Sequence, residues 1–249
     1  MTLKFNFKRL YHFIRRDLTI RQSSIRTALI VVSAIAFVFF LINLREDHRI
    51  TEGEFVNVFG LFYIPLGVLF TFFICKESHD SKANHLYFVL PVSIYERIAA
   101  IWLTTTILYT IVFTILSFIV GQLAIITGGV LFGTKFHVLP IFSGEYLGFG
   151  MFYCIIQPVF LVGALAFRTN RIGKTLLVFV SVFFGVIIYN MILFTMLNYR
   201  YDVHLGDAFA SEAFGLAQSD FSVFRMLFFV GLGPVMLFVA YCKMVEKEV

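Results

Sequence analysis

The sequence predicts an all-α integral membrane protein: six transmembrane helices preceded by an amphipathic interfacial helix, with both termini cytoplasmic. Three observations lead there. Six long apolar segments make up more than half of the 249 residues; five contain no Asp, Glu, Lys, Arg or His, and the last contains only Arg225. A spanning helix needs roughly 20 apolar residues, because only a helix satisfies its own backbone hydrogen bonds across about 30 Å of hydrocarbon. The composition, 59% hydrophobic and 14% charged with 33 Phe, lies far from the roughly 25% charged residues of a soluble domain. Finally, the basic residues sort by loop instead of gathering in one patch, which argues against nucleic acid as the partner of the +5 net charge.

The expected spans are 27–44, 55–75, 98–127, 147–167, 175–197 and 221–242, where Arg225 is close enough to an end to snorkel. Fifteen Lys and Arg residues fall before the first span, in the second-to-third and fourth-to-fifth connections, and in the tail. The alternate loops hold only Arg45, Arg49, Lys135 and Arg200. The positive-inside rule therefore puts both termini in the cytoplasm, as an even number of spans requires. The first apolar run has 18 residues and carries Ala34-Ile35-Ala36 inside it, not after it. It exceeds the 7–15 residues, roughly, of a secretory signal core and reads as a retained span. The third run is long enough to tilt or to break near Gly121. Cys75, Cys154 and Cys242 lie within or at the ends of spans, so neither a disulfide nor a metal site is expected. The whole of 1–249 reads as one membrane domain.

Ahead of the first span, Phe7, Leu10, Tyr11, Ile14 and Leu18 recur at helical spacing, while Lys8, Arg9, His12, Arg15 and Arg16 fall largely on the other side. Such a segment, within 1–26, lies in the inner membrane surface, attracted to anionic lipid. The simpler reading is a generic basic anchor.

The second-to-third connection reads KESHDSKANHLYFVLPVSIYER, far longer than the seven-residue connection after span four. Glu77, Asp80, Lys82 and His85 lead into an apolar patch from Leu86 and Tyr87 to Leu90, too short to span. A partner protein or the membrane surface must cover it. Pro91 stops the preceding structure. Ser93 can cap the next helix, and Glu96 stands three residues on to complete a capping box.

This arrangement resembles the permease subunits of type 2 ABC exporters. The resemblance runs over nearly the whole chain, and its local motif is Leu90-Pro91-Val92-Ser93-Ile94-Tyr95-Glu96-Arg97, similar to the LP-S--E-[KR] pattern of bacterial members. It implies a connecting helix at about Phe5 to Arg21 and a coupling element at about Glu77 to Leu90 that docks on a separate ATP-binding subunit. It further implies that a second permease copy or paralogue completes the substrate path in the bacterial cytoplasmic membrane. No cofactor is then expected in this chain; ATP and Mg belong to the partner.

The remaining motifs fit that expectation. Gly173-Lys174-Thr175 lacks the first glycine of a P-loop, that position being Arg168. No HExxH, GxSxG or intramembrane acidic pair is present, so no catalysis is expected. Ion-coupled carriers commonly bury ionisable residues near the midplane, and the span interiors hold none. Gln122, Gln157 beside Pro158, and Asn190 read as interhelical hydrogen-bonding groups or as substrate contacts. Gly129 to Gly133 has GxxxG spacing but sits where span three ends, and reads equally as a turn. The acidic 198–220 loop either caps the outer mouth or is simply solvated. Two other function classes stay open: a stand-alone secondary carrier or channel, and a non-transporting membrane scaffold.

Overall fold

The computed structural model describes residues 5–47, 52–76, 92–133, 136, 138, 139, 143–167, 169–198 and 222–248. Every element among them is a helix. Helix α1 covers Phe7–Ile20, α2 Gln22–Asp47, α3 Glu52–Ile74 and α4 Ile94–Trp102. A π-helical turn, Leu103–Leu108, leads without interruption into α5, Tyr109–Phe132. Helices α6 Gly144–Ala166, α7 Arg171–Asn198 and α8 Ser222–Glu248 complete the order.

Among the described residues, five segments are long and apolar enough to cross a membrane: Gln22–Arg45, Gly53–Ile74, Ile94–Phe132, Gly144–Ala166 and Arg171–Tyr189. The chain thus has the build of a multi-pass membrane protein. The sixth expected span, 221–242, falls on α8, which runs for 27 residues and contains Pro234. The expected break near Gly121 does not occur. The helix runs straight through that position, and Leu139 fills the space a Cβ would need there. The irregularity lies instead at Leu103–Leu108. Gly133 ends α5 in the left-handed region at φ 70°, its N–H bonding Gly129 O at 3.2 Å, so the second glycine of the GxxxG pair serves as a helix terminus.

Helix α6 is the centre of the bundle. It packs on α3, α7, α8 and the π turn, while α2 lies along α5 and α1 along α4. Two apolar clusters result. One joins Leu10 and Phe13 of α1 to Ile74, Ile98, Ile101, Leu161, Leu165 and Met244. The other, towards the opposite end, joins Phe40 and Leu44 to Phe55, Phe59, Phe113, Ala124 and Tyr146. Lipid tails are as apolar as these side chains, so close packing and buried hydrogen bonds must supply the association energy. The outward face of α2 and nearly all of the described side chains of α7 are exposed and mostly apolar.

Candidate functional site

The segment 77–91 leaves α3 and returns at Ser93, and both of its stems are held by side chains. At the return, Ser93 caps α4: its hydroxyl accepts the Glu96 N–H at 3.3 Å, and Glu96 Oε2 accepts the Ser93 N–H at 2.8 Å. The second carboxylate oxygen reaches further. Glu96 Oε1 accepts the backbone N–H of Asn6 at 2.6 Å and Arg9 Nη2 at 2.9 Å, joining residues 90 and 87 positions apart. The Glu96 side chain is fully buried and that of Arg9 is 29% exposed. A buried carboxylate is tolerated because its lone pairs are met by several donors, one of them charged. Asn6 is itself the N-cap of α1, its side chain accepting the Lys8 N–H at 2.9 Å.

At the departing stem the logic is that of a helix C-terminus, whose last carbonyls lack intrahelical donors and attract cations. Arg21 Nη2 donates to Ile74 O at 3.0 Å, and Arg171 Nη1 donates to Cys75 O at 3.2 Å. Arg21 also lies 5.6 Å over the Phe73 ring and pairs with Asp17. Asp17 further accepts from Arg16 Nη1 at 3.3 Å. The buried face of α1 is therefore Leu10, Phe13 and Asp17, continued by Arg21. That stripe, which packs on protein, shares only Leu10 with the apolar stripe expected to face lipid. Leu10 is buried, Ile14, Arg16 and Leu18 are half-buried, and Phe7, Tyr11 and Arg15 are exposed. Docking against α4 and the end of α3, with Asp17 drawn in by two arginines, sets which face of α1 meets the protein.

Helix α1 thus bridges the two stems. From Asn6 to Arg21 it measures about 22 Å at 1.5 Å per residue, with its first turn fixed to the return and its C-cap fixed to the departure. The arrangement makes α1, the end of α3 and the start of α4 into one rigid frame around 77–91.

A second polar group lies inside the bundle. Thr71 Oγ1 donates to Gly67 O at 2.9 Å and Thr105 Oγ1 to Ile101 O at 2.8 Å, so both hydroxyl protons are committed. Gln157 Nε2 then donates to both hydroxyl oxygens, at 3.4 and 2.5 Å. Gln157 Oε1 is left buried without a donor among the described residues. The π turn contributes directly. The Tyr109 N–H, which an α-helix would send to Thr105 O, bonds Thr104 O, and Thr105 O receives the Tyr153 hydroxyl at 2.9 Å. Tyr153 closes on α3 because Gly67 has no Cβ; one built there would collide with the phenol. Tyr63 meets the Thr110 hydroxyl at 2.7 Å and Tyr109 donates to Tyr63 O at 2.6 Å. Tyr146 donates to Thr114 Oγ1 at 2.6 Å. The rings of Tyr63, Tyr109 and Tyr153 stand 4.9 to 5.6 Å apart.

Of the residues singled out from sequence, Ser93 and Glu96 sit together at the α4 start, and Gln157 sits at the centre of the inner network. Gln122 lies 17 residues beyond Thr105 on the same continuous helix, about 25 Å away. Its Nε2 is buried without an acceptor among the described residues. Asn190 is on α7, its side chain outside the described residues. Glu77, Asp80, Lys82, His85, Leu86, Tyr87, Leu90 and Pro91 also lie outside the described residues. Asn6, Arg9, Arg21 and Arg171 were not distinguished from generic basic flanks, because their acceptors lie 53 to 96 residues away. The consecutive Thr104, Thr105 and Thr106 within an apolar run were the available signal for the π turn. No family model, curated protein or solved structure matches this chain.

Proposed function

We propose that this chain is the membrane-spanning permease subunit of an ATP-driven exporter of the type 2 ABC class. In this reading α2, α3, the α4–α5 helix, α6, α7 and α8 are the six spans. Helix α1 lies at the inner surface of the bacterial cytoplasmic membrane, and both termini are cytoplasmic. The segment 77–91 docks on a separate subunit that binds ATP and Mg, and a second permease copy or paralogue completes the pathway. The chain itself is not an enzyme, and its other contacts are membrane lipids rather than nucleic acid.

One observation carries this reading: the frame around 77–91. A loop that merely joins two spans needs no anchoring, whereas an element that must deliver displacement from a soluble motor to membrane helices needs stiff stems. Here one stem is pinned by Arg21 and Arg171 and the other by Asn6, Arg9 and the Ser93–Glu96 cap. Glu96 is also the acidic position of the Leu90–Arg97 stretch on which the family resemblance rests. The shared motif thereby acquires a physical role.

The test is purification of the tagged chain in mild detergent from its native host, with mass spectrometry of what stays bound. A stoichiometric P-loop ATPase, lost on Leu86→Asp with Tyr87→Asp, is the expected result. Reproducible absence of any such subunit, under conditions that preserve other membrane complexes, would move the reading to an autonomous carrier or a scaffold.

A further inference from the structure

Between α2 and α3, floored by the π turn and α5, lies a partly open cavity of about 320 Å³. Its walls include Leu18 of α1, Ala28 and Val32 of α2, Leu69 and Phe73 of α3, and Val112 of α5. Along α2 it extends from Ser24 to Val32, about 12 Å at 1.5 Å per residue. Half of a hydrocarbon core of about 30 Å is about 15 Å. The cavity is therefore about as deep as one leaflet and begins near the end of the Gln22–Arg45 apolar segment.

The end at which it starts is the cationic one. Lys8, Arg15, Arg26, Lys76 and Lys174 are all exposed at the end of the bundle formed by α1, the α3 terminus and the α7 start. Arg15 stands one helical turn from Leu18, and Arg26 follows Ile25, both of which line the groove. The acid described on α1, Asp17, already pairs with Arg16 and Arg21. Among the described residues, the Arg26 Nε bonds within its own turn, to Gln22 O at 3.4 Å. Ser24, on the groove wall, adds an exposed hydroxyl at the level where an ester would lie.

We infer that this groove is a resident lipid site, holding one acyl chain of an anionic phospholipid whose headgroup lies against Arg15 and Arg26. The occupant follows from the dimensions and the charge together. An apolar slot about one leaflet deep selects an acyl chain, and exposed basic side chains at its mouth, with no acidic partner among the described residues, select a negative headgroup. The inference rests on the membrane build of the chain and not on the exporter reading, so either can fail alone.

The chain has a single tryptophan, Trp102, which makes quenching by brominated lipid a clean test. In a Trp102→Phe background, Val112→Trp places a reporter in the groove, and Val178→Trp places a control on the exposed face of α7. Each is reconstituted in phosphatidylcholine vesicles containing a minor fraction of dibrominated phosphatidylglycerol. The groove reporter should be quenched as if the anionic lipid were enriched roughly fivefold, the preference one basic residue gives at an anionic surface. The control should follow the mole fraction. Ala28→Phe should abolish the enrichment by filling the slot, and Arg15→Gln with Arg26→Gln should reduce it to the mole fraction. In parallel, native mass spectrometry of the unsubstituted protein should retain phosphatidylglycerol. Quenching of both reporters in proportion to mole fraction would overturn the site. So would a groove reporter that no brominated lipid reaches, which would mean that the chain itself fills the slot.

Discussion

Glu96 and Arg9, 87 residues apart, meet at 2.9 Å with the carboxylate wholly removed from solvent. The same carboxylate caps its own helix through Ser93 and holds the Asn6 amide. One side chain therefore does the work of a helix cap and of a tertiary tie.

Replacing Glu96 should cost more than either job alone. We expect Glu96→Ala to destabilise the protein by about 3 kcal/mol, since removal of one partner strands buried donors and a buried charge. Ser93→Ala should cost about 1 kcal/mol, the worth of a cap. Denaturant titration in detergent micelles measures both. The exchange Arg9→Glu with Glu96→Arg separates the roles: a simple ion pair would be restored, whereas a guanidinium at 96 cannot accept the Ser93 and Asn6 amides. The double variant should remain as unstable as Glu96→Ala.

Arg21→Ala should loosen the other stem. It removes the donor to Ile74 O and one of the two basic partners of Asp17, both acceptors being buried. We expect protease cleavage within 77–91 to accelerate severalfold in the folded protein, with Arg21→Lys giving an intermediate rate because a lysine is a point charge without the planar fork. Unchanged cleavage in Arg21→Ala would remove this residue from the frame.

The tyrosine network depends on one missing methyl. Gly67→Ala should push the Tyr153 ring away from Thr105 O and cost about 2 kcal/mol, in the range expected of an overpacked core. Gly150→Ala, where nothing lies within contact distance of the added carbon, should be close to neutral. Thermal unfolding of the two variants gives the comparison.

Gln157 distinguishes packing from passage. Gln157→Leu should cost only about 1 kcal/mol, because Thr71 and Thr105 keep their hydroxyl protons on helix carbonyls and lose only a donor. Under the proposed exporter reading, transport by the variant should follow its stability if Gln157 serves packing alone. Loss of transport at full stability would make it a pathway residue.

The apolar runs made the helices legible, because length and the absence of charge are local properties. The Ser93–Glu96 spacing likewise announces a cap within four residues. What Glu96 does with its other oxygen was not legible, since Asn6 and Arg9 are joined to it only by the folded bundle. That α1 also buries Asp17 against the protein escaped for a related reason. Phe7, Leu10, Tyr11, Ile14 and Leu18 make a convincing apolar stripe, and nothing local indicates that Asp17 will turn inward to meet Arg16 and Arg21. Three threonines in a row mark a polar stretch of span, but whether they sit on an α or a π turn depends on Tyr153 and Gln157 arriving from α6.

The π turn at Leu103–Leu108 makes residue number itself a structural variable. Such a turn accommodates one residue more than an α-helix would, and each residue advances an α-helix by about 100°. Losing a single residue there would let the backbone revert to regular winding. The nine-residue stretch carrying Glu96 would then swing by about that angle relative to Phe113, carrying the carboxylate away from Asn6 and Arg9. An insertion or deletion that a lipid-facing helix elsewhere would absorb as a small shift in depth would here separate α4 from the first turn of α1.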